Sequence, residues 1–321
     1  MLRYLKHHTL FIFFICFIII NCTCTDNNNR PLTYKSTEGY QEVQNSYNSV
    51  LKIWPVPYES KFVKTAYGQT HVITWGKKND PPLVLFHGGG NCALMWIFIA
   101  EQLANSFYVI APDTVGDVGL SVPIKPFITT DDYAEWFLEL LNNMDILKVN
   151  IAGISWGGGI ALQIVLKYPE RINKMVIMCP AWGIDMFRIW ALLYHSLPVA
   201  IFPNSERVRN LLEWLSVKRP AFADNKGDKI VNYLVTAFKN YKSPKSVQPI
   251  VFTDEELRQI KIPILLMIGD KEVIYSDPDK MIKRAKDTIL NIKCKIIPKA
   301  GHALIYDRPE MTSQEIIRFI K

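Results

Sequence analysis

The sequence lacks the usual signatures of a bound metal, a nucleotide or a disulfide framework. HExxH, Walker A and G-x-G-x-x-G patterns are missing, and no Cys/His cluster has zinc-ligand spacing, so nothing calls for a cofactor or a metal. Cysteine is scarce in the body: past residue 24 only Cys92, Cys179 and Cys294 occur. Three is odd, the spacing is wide and each lies in an apolar stretch, which argues against a disulfide framework and for small buried hydrophobes. Basic residues give a net charge of +7 but are dispersed rather than striped along one helix, so a nucleic-acid partner is not expected. No apolar run approaches the ~20 residues a spanning helix needs. Internal repeats and low-complexity tracts are absent beyond Asn27–Asn29.

With 49% apolar residues and 21% charged, the 321-residue chain has ample material for a large core. Residues 1–24 read as a leader: Arg3 and Lys6 precede the apolar run TLFIFFICFIIIN, the length of a signal-peptide core. Ile19-Ile20-Asn21-Cys22 is similar to a bacterial lipobox, although Asn21 departs from the small residue expected there. Lipidation at Cys22, cleavage near Cys24 and a retained anchor all remain open, and each places the protein outside the cytoplasm, with membrane association through the leader in two of the three. Residues 25–45 read as a polar tether, with an amphipathic helix over 40–54 that spans its end and ends at Pro55.

Beyond the tether, strand and helix take turns. FVKTA and THVITW suggest an antiparallel pair turning at Tyr67-Gly68, and Leu83–Phe86 a strand buried on both faces that stops at His87-Gly88-Gly89-Gly90. A helix is expected over 93–104, a strand ending at Asp113, and a helix over 130–144. The alternation breaks at residues 181–250, a Trp-, Phe- and Leu-rich helical stretch, and then resumes to the C-terminus. The pattern implies a mostly parallel sheet with helices on both faces, divided into core segments 46–180 and 251–321 around an inserted helical cap.

The chemistry centres on Gly153-Ile154-Ser155-Trp156-Gly157. A serine between glycines at a strand-to-helix turn stands on strained backbone, with its hydroxyl lifted clear of the sheet and the helix N-terminus beside it. A glycine-rich turn holding an ordinary serine has the same local sequence, so the other stations decide. Late in the chain one strand ends Gly269-Asp270-Lys271-Glu272 and the next runs into Ala300-Gly301-His302. Of six histidines only His302 follows a late strand through a glycine turn, and the order serine, carboxylate, histidine is that of a nucleophile, an orienting acid and a general base.

Taken together, HGGG (87–90), DTVGDVGLS (113–121), GISWGG (153–158), GDKE (269–272) and GH (301–302) resemble the α/β-hydrolase superfamily, in its cap-bearing bacterial carboxylesterase/lipase-like branch, over roughly residues 60–320. The resemblance implies an α/β-hydrolase fold and a triad of Ser155, Glu272 and His302. Aspartate is usual at position 272, and Asp270 competes for the acid's role. The resemblance also implies an oxyanion hole from the N–H groups of Trp156 and Gly89, with Gly88 or Gly90 as alternatives to Gly89. A serine at the elbow sets the chain apart from dehalogenase-like relatives, which carry aspartate. Trp156 resembles the proline iminopeptidase elbow, but the cap holds no convincing acidic set for a substrate amine.

Three readings follow. One is a serine hydrolase acting on a small-molecule carboxylic ester with an apolar part. Trp182, Phe187, Trp190, Leu193, Tyr194 and Trp214 are its candidate pocket lining, with cap packing as their alternative role, and His195 is a candidate substrate contact. The second is an aminopeptidase, amidase or C–C bond hydrolase of the same fold. The third is an inactive binding protein, since fold does not fix function.

Overall fold

A computed structural model describes residues 33–218, 222–242 and 247–321, all within the unit Pro31–Lys321. The leader lies outside the described residues. Helix α1 spans Thr37–Leu51, opened by Ser36, whose hydroxyl accepts the Gly39 N–H. It buries Val43, Tyr47, Val50 and Leu51 along one face. The helix thus starts three residues earlier than the apolar pattern suggested, because the cap residue precedes the first apolar position. The tether expected over 25–45 is corrected from residue 33 onward: Thr33 and Tyr34 are fully buried.

Strands β1 (Tyr58–Thr65) and β2 (Gly68–Trp75) pair antiparallel, with Thr65 opposite Gly68, so the turn is Ala66-Tyr67. Strand β3 (Pro82–Phe86) follows. The single helix expected over 93–104 is instead a 3-10 turn, Ala93–Phe98, then α2 (Ala100–Ala104). Residues 93–97 are buried on all sides, and their packing outweighs local helix preference. Then come β4 (Tyr108–Pro112), a two-residue strand β5 (Val122–Pro123) that the sequence did not suggest, α3 (Thr130–Asn143), β6 (Val149–Ile154), α4 (Trp156–Lys167) and β7 (Ile172–Met178). The inserted stretch holds α5 (Ile189–Ile201), α6 (Ser205–Leu215) and α7 (Asn225–Asn240). The chain closes with α8 (Asp254–Gln259), β8 (Ile264–Gly269), α9 (Pro278–Thr288), β9 (Ile292–Ile297), α10 (Leu304–Asp307) and α11 (Pro309–Ile320).

One nine-stranded sheet runs β1-β2-β4-β3-β6-β7-β8-β9, with β5 on β2. Neighbours from β4 to β9 are parallel. All their carboxyl ends therefore fall on one edge, and β3 and β6 meet where the order of strand addition reverses, the crevice in which open α/β sheets place ligands. Strands β6 and β8 are buried along their whole length, as expected of strands covered on both faces. Among the described residues no helix is long and apolar enough to cross a membrane.

Helix α1 packs on α7: Asn240 Nδ2 donates to Glu42 (3.0 Å), and the rings of Tyr47 and Tyr233 meet edge to face at 5.4 Å. Losing the Ser36 cap should loosen this seam. Ser36→Ala is expected to lower stability by about 1 kcal/mol, read as a shift in the urea midpoint at unchanged slope.

Candidate active site

The Ser155 elbow is built by close approach. A Cβ on Gly153 would lie 2.2 Å from the Gly157 carbonyl oxygen, and one on Gly157 would lie 2.3 Å from that of Phe86. Only glycine at both positions lets α4 begin against the ends of β6 and β3. The serine between them takes φ 55° and ψ −118°, a conformation that costs on the order of 1–3 kcal/mol and persists only where its surroundings enforce it. They do so here: the Ser155 N–H donates to Met178 O, and its carbonyl accepts from Ala181 N, both at 2.9 Å. The hydroxyl does not cap α4, although Ser155 occupies the cap position. It is left for chemistry at the positive end of a helix dipole.

The loops after β8 and β9 bring the next two groups together. His302 Nδ1 lies 3.0 and 3.1 Å from the two carboxylate oxygens of Glu272. Glu272 Oε1 also accepts the N–H groups of Val273 and Ile274, both at 2.8 Å. Burial would push this carboxyl up, but the histidine and its hydrogen bonds, with the Cys179 thiol and the Ile274 N–H, outweigh it and hold it below the ordinary glutamate range. A carboxylate on Nδ1 fixes the proton there and leaves Nε2 with a free lone pair, the form a general base needs. The neighbouring Asp270 is engaged elsewhere: it accepts the Ala300 N–H at 3.1 Å and closes the turn between the two loops.

The glycine loop after β3 is held from two sides. The Thr114 N–H donates to His87 Nε2 (2.9 Å), so the proton is on Nδ1, which donates to Gly88 O (2.9 Å). With that carbonyl pinned, the trans peptide turns the Gly89 N–H the opposite way. The Gly90 N–H is committed to the Asp117 carboxylate at 3.1 and 3.2 Å, which removes Gly90 as an alternative donor. A Cβ on Gly88 would meet Ser155 Cβ at 3.4 Å, and one on Gly89 would meet Trp156 Cβ at 3.4 Å, so the loop lies directly over the elbow. The Trp156 N–H is the first of α4, and its indole donates to Tyr133 Oη (3.1 Å).

The cap residues fare differently. Trp182 is fully buried, filling the hollow left by Gly159 and packed at a tilt against Trp156 and Phe252, so it is corrected from a substrate contact to a packing residue. Trp190 and Tyr194 lie on α5 at 61% and 77% exposure, in solvent rather than in a closed pocket. His195 stacks on Trp214 with ring centroids 4.2 Å apart. Two features had no signal in the sequence. Asp117 reaches Gly90 across 27 positions, and the Cys179 Sγ lies within 4.8 Å of ligand atoms of Glu272 and His302. Those three could in principle hold a soft cation, but burial pushes the Cys179 thiol well above its ordinary value, and Glu272 already serves His302 and two backbone donors.

The depressed carboxyl has a measurable consequence. Its stabilisation is complete above the unfolded-state value of about 4.3 and is lost as pH falls through the lower folded value. Glu272→Gln should therefore flatten the acid side of a plot of unfolding free energy against pH.

Comparison with known proteins identifies the fold family. A family profile described as alpha/beta hydrolase fold matches residues 81–309. The uncharacterized carboxylesterase nap of Bacillus subtilis (strain 168) is 32% identical over 91% of this chain and 96% of its own. Carboxylesterase YbfK of the same organism is 28% identical over 90% and 97%. The crystal structure of naproxen esterase (carboxylesterase NP) from Bacillus subtilis superposes with a TM-score of 0.82 at 31% identity, covering 89% of this chain and all of that one. With strand order, elbow and late histidine all in place, the chain belongs to the α/β-hydrolase fold family.

Proposed function

We propose that the protein is a serine esterase that cleaves a small carboxylic ester with an apolar moiety through an acyl-enzyme. The observation that carries the reading is the pairing of His302 Nδ1 with the buried Glu272 carboxylate on the sheet edge that also presents the strained Ser155. Ser155 Oγ attacks the ester carbonyl while His302 Nε2 takes its proton. The oxyanion that forms accepts the N–H groups of Gly89 and Trp156. Collapse of the tetrahedral adduct breaks the bond to the alcohol, which leaves with the proton returned by His302. Water, activated by the same nitrogen, then releases the acid and restores Ser155. Glu272 keeps the imidazole in its tautomer and stabilises the imidazolium without itself taking the proton.

Ester chemistry is favoured by the carboxylesterase relatives over more than nine-tenths of their length. One solved relative is itself named a naproxen esterase. We also propose that the leader exports the protein and tethers its body at a membrane surface. Arg3 and Lys6 ahead of the apolar run over residues 10–20 support that reading, as does Cys22 as an acylation point. Sequencing the N-terminus of the mature protein in a membrane fraction should begin at a modified Cys22. Full-length protein with Met1 in the cytosol overturns export.

For the catalytic reading, Ser155→Ala and His302→Ala are each expected to reduce turnover of p-nitrophenyl esters by about 10³-fold or more, and Ser155→Ala to abolish fluorophosphonate labelling. Glu272→Gln is expected to cost far more turnover than Asp270→Asn. Near-normal rates in either folded alanine variant sink the mechanism, and aminoacyl-arylamides as the better substrates move the assignment to a peptidase.

A further inference from the structure

Four tyrosine hydroxyls, all from outside the sheet, donate to four carbonyls of one short loop. Tyr34 donates to Gly119 O (2.5 Å), Tyr40 to Leu120 O (2.9 Å), Tyr241 to Gly116 O (2.6 Å) and Tyr233 to Val118 O. The carbonyls belong to residues 116 and 118–120, on either side of Asp117. Tyr34 comes from the segment that leads into α1 and Tyr40 from the start of α1 itself, and Tyr233 and Tyr241 from α7 and its end. These two segments are themselves joined: Lys35 N donates to Asn240 O and Lys242 N to Thr33 O, both at 2.8 Å. Burial pushes the Tyr34 and Tyr233 hydroxyls well above their ordinary value and that of Tyr40 up to about 12, so all three stay protonated as donors.

The loop they grip carries the carboxylate that captures the Gly90 N–H, with Val118 N donating to the same Oδ1 at 2.8 Å. Its other contact with the glycine loop is through His87, by way of the Thr114 N–H. Gly89 therefore lies between two fixed points, the Gly88 carbonyl and the Gly90 N–H. The Gly89 N–H lies in the 88–89 peptide; if the Gly90 N–H were released, the 89–90 peptide could turn and Gly89 would be anchored on one side alone, letting the loop that carries its N–H shift over Ser155. We propose that Asp117 is a positioning residue that clamps the far side of Gly89 and so keeps the Gly89 N–H in place over the oxyanion, and that the four tyrosines make its placement depend on the cap and on the N-terminal segment. This inference rests on the esterase reading above, in which Gly89 is an oxyanion donor.

The test uses the full chain, a p-nitrophenyl ester and an alkyl trifluoromethyl ketone, whose hemiketal oxyanion occupies the same donors as the tetrahedral adduct. Asp117→Ala is expected to lower kcat about 10²-fold, the scale of losing one oxyanion donor, with KM little changed and the ketone's Ki raised by a similar factor. Asp117→Asn keeps an acceptor for Gly90 and should lose less than about a tenth as much. The triple variant Tyr34→Phe/Tyr233→Phe/Tyr241→Phe should lower kcat and weaken the ketone in parallel. Folded Asp117→Ala with wild-type kcat and Ki overturns the proposal, as does a fall in activity with Ki unmoved. Should Asp117→Ala not fold, the tyrosine variant decides: wild-type kcat and Ki there overturn it equally. A wild-type enzyme that neither binds the ketone nor takes a fluorophosphonate label instead refutes the esterase reading beneath it.

Discussion

The contact between the start of α4 and the ends of β6 and β3 is the constraint on which the rest depends. Backbone meets backbone there with no room for a Cβ at Gly153 or Gly157. That closeness turns the chain so sharply that Ser155 has no relaxed conformation available. The strain is not a defect to be relieved, because the bonds from Met178 and Ala181 hold both sides of the serine. A largely apolar, buried pair of strands below and a helix buried along most of its length above give the turn a rigid seat. Function here draws on stability accumulated in the sheet.

The parallel sheet then does the assembling. Glu272 and His302 are 30 positions apart and lie more than a hundred residues from Ser155 in the chain, yet all three follow strands that end on one edge. Glutamate in place of the more usual aspartate is accommodated by its position in the turn: its longer side chain folds back to take the N–H groups of Val273 and Ile274 as well as the imidazole. Three donors to one carboxylate leave it little freedom, which matters because its task is to hold an orientation.

Local sequence made these positions legible. The glycine-flanked serine, the glycine before His302 and the alternation of strand with helix are signals within a few residues of the group they predict. The fold class could be read from that alternation for the same reason. What stayed hidden depends on contacts between distant segments. Asp117 sits in a stretch that reads as an ordinary polar loop until Gly90 is seen against it. Tyr34 looked like part of a tether because its partner, Gly119, is 85 positions away. Trp182 looked like pocket lining because an aromatic in an oily cap has the same sequence whether it faces a substrate or a neighbouring helix.

That last residue carries a consequence of its own. Gly159 leaves a notch on α4, and the Trp182 indole enters it so closely that a Cβ at 159 would fall 2.1 Å from the ring. The two positions are a lock and its key, 23 residues apart in the chain and on opposite sides of β7. Neither can change alone: a side chain on the helix evicts the indole, and a small residue at 182 opens a void beside Phe252 and Trp156. Descendants of this sequence should therefore alter both together or neither, and the pair forms a point of covariation that links the hydrolase body to the threshold of its cap.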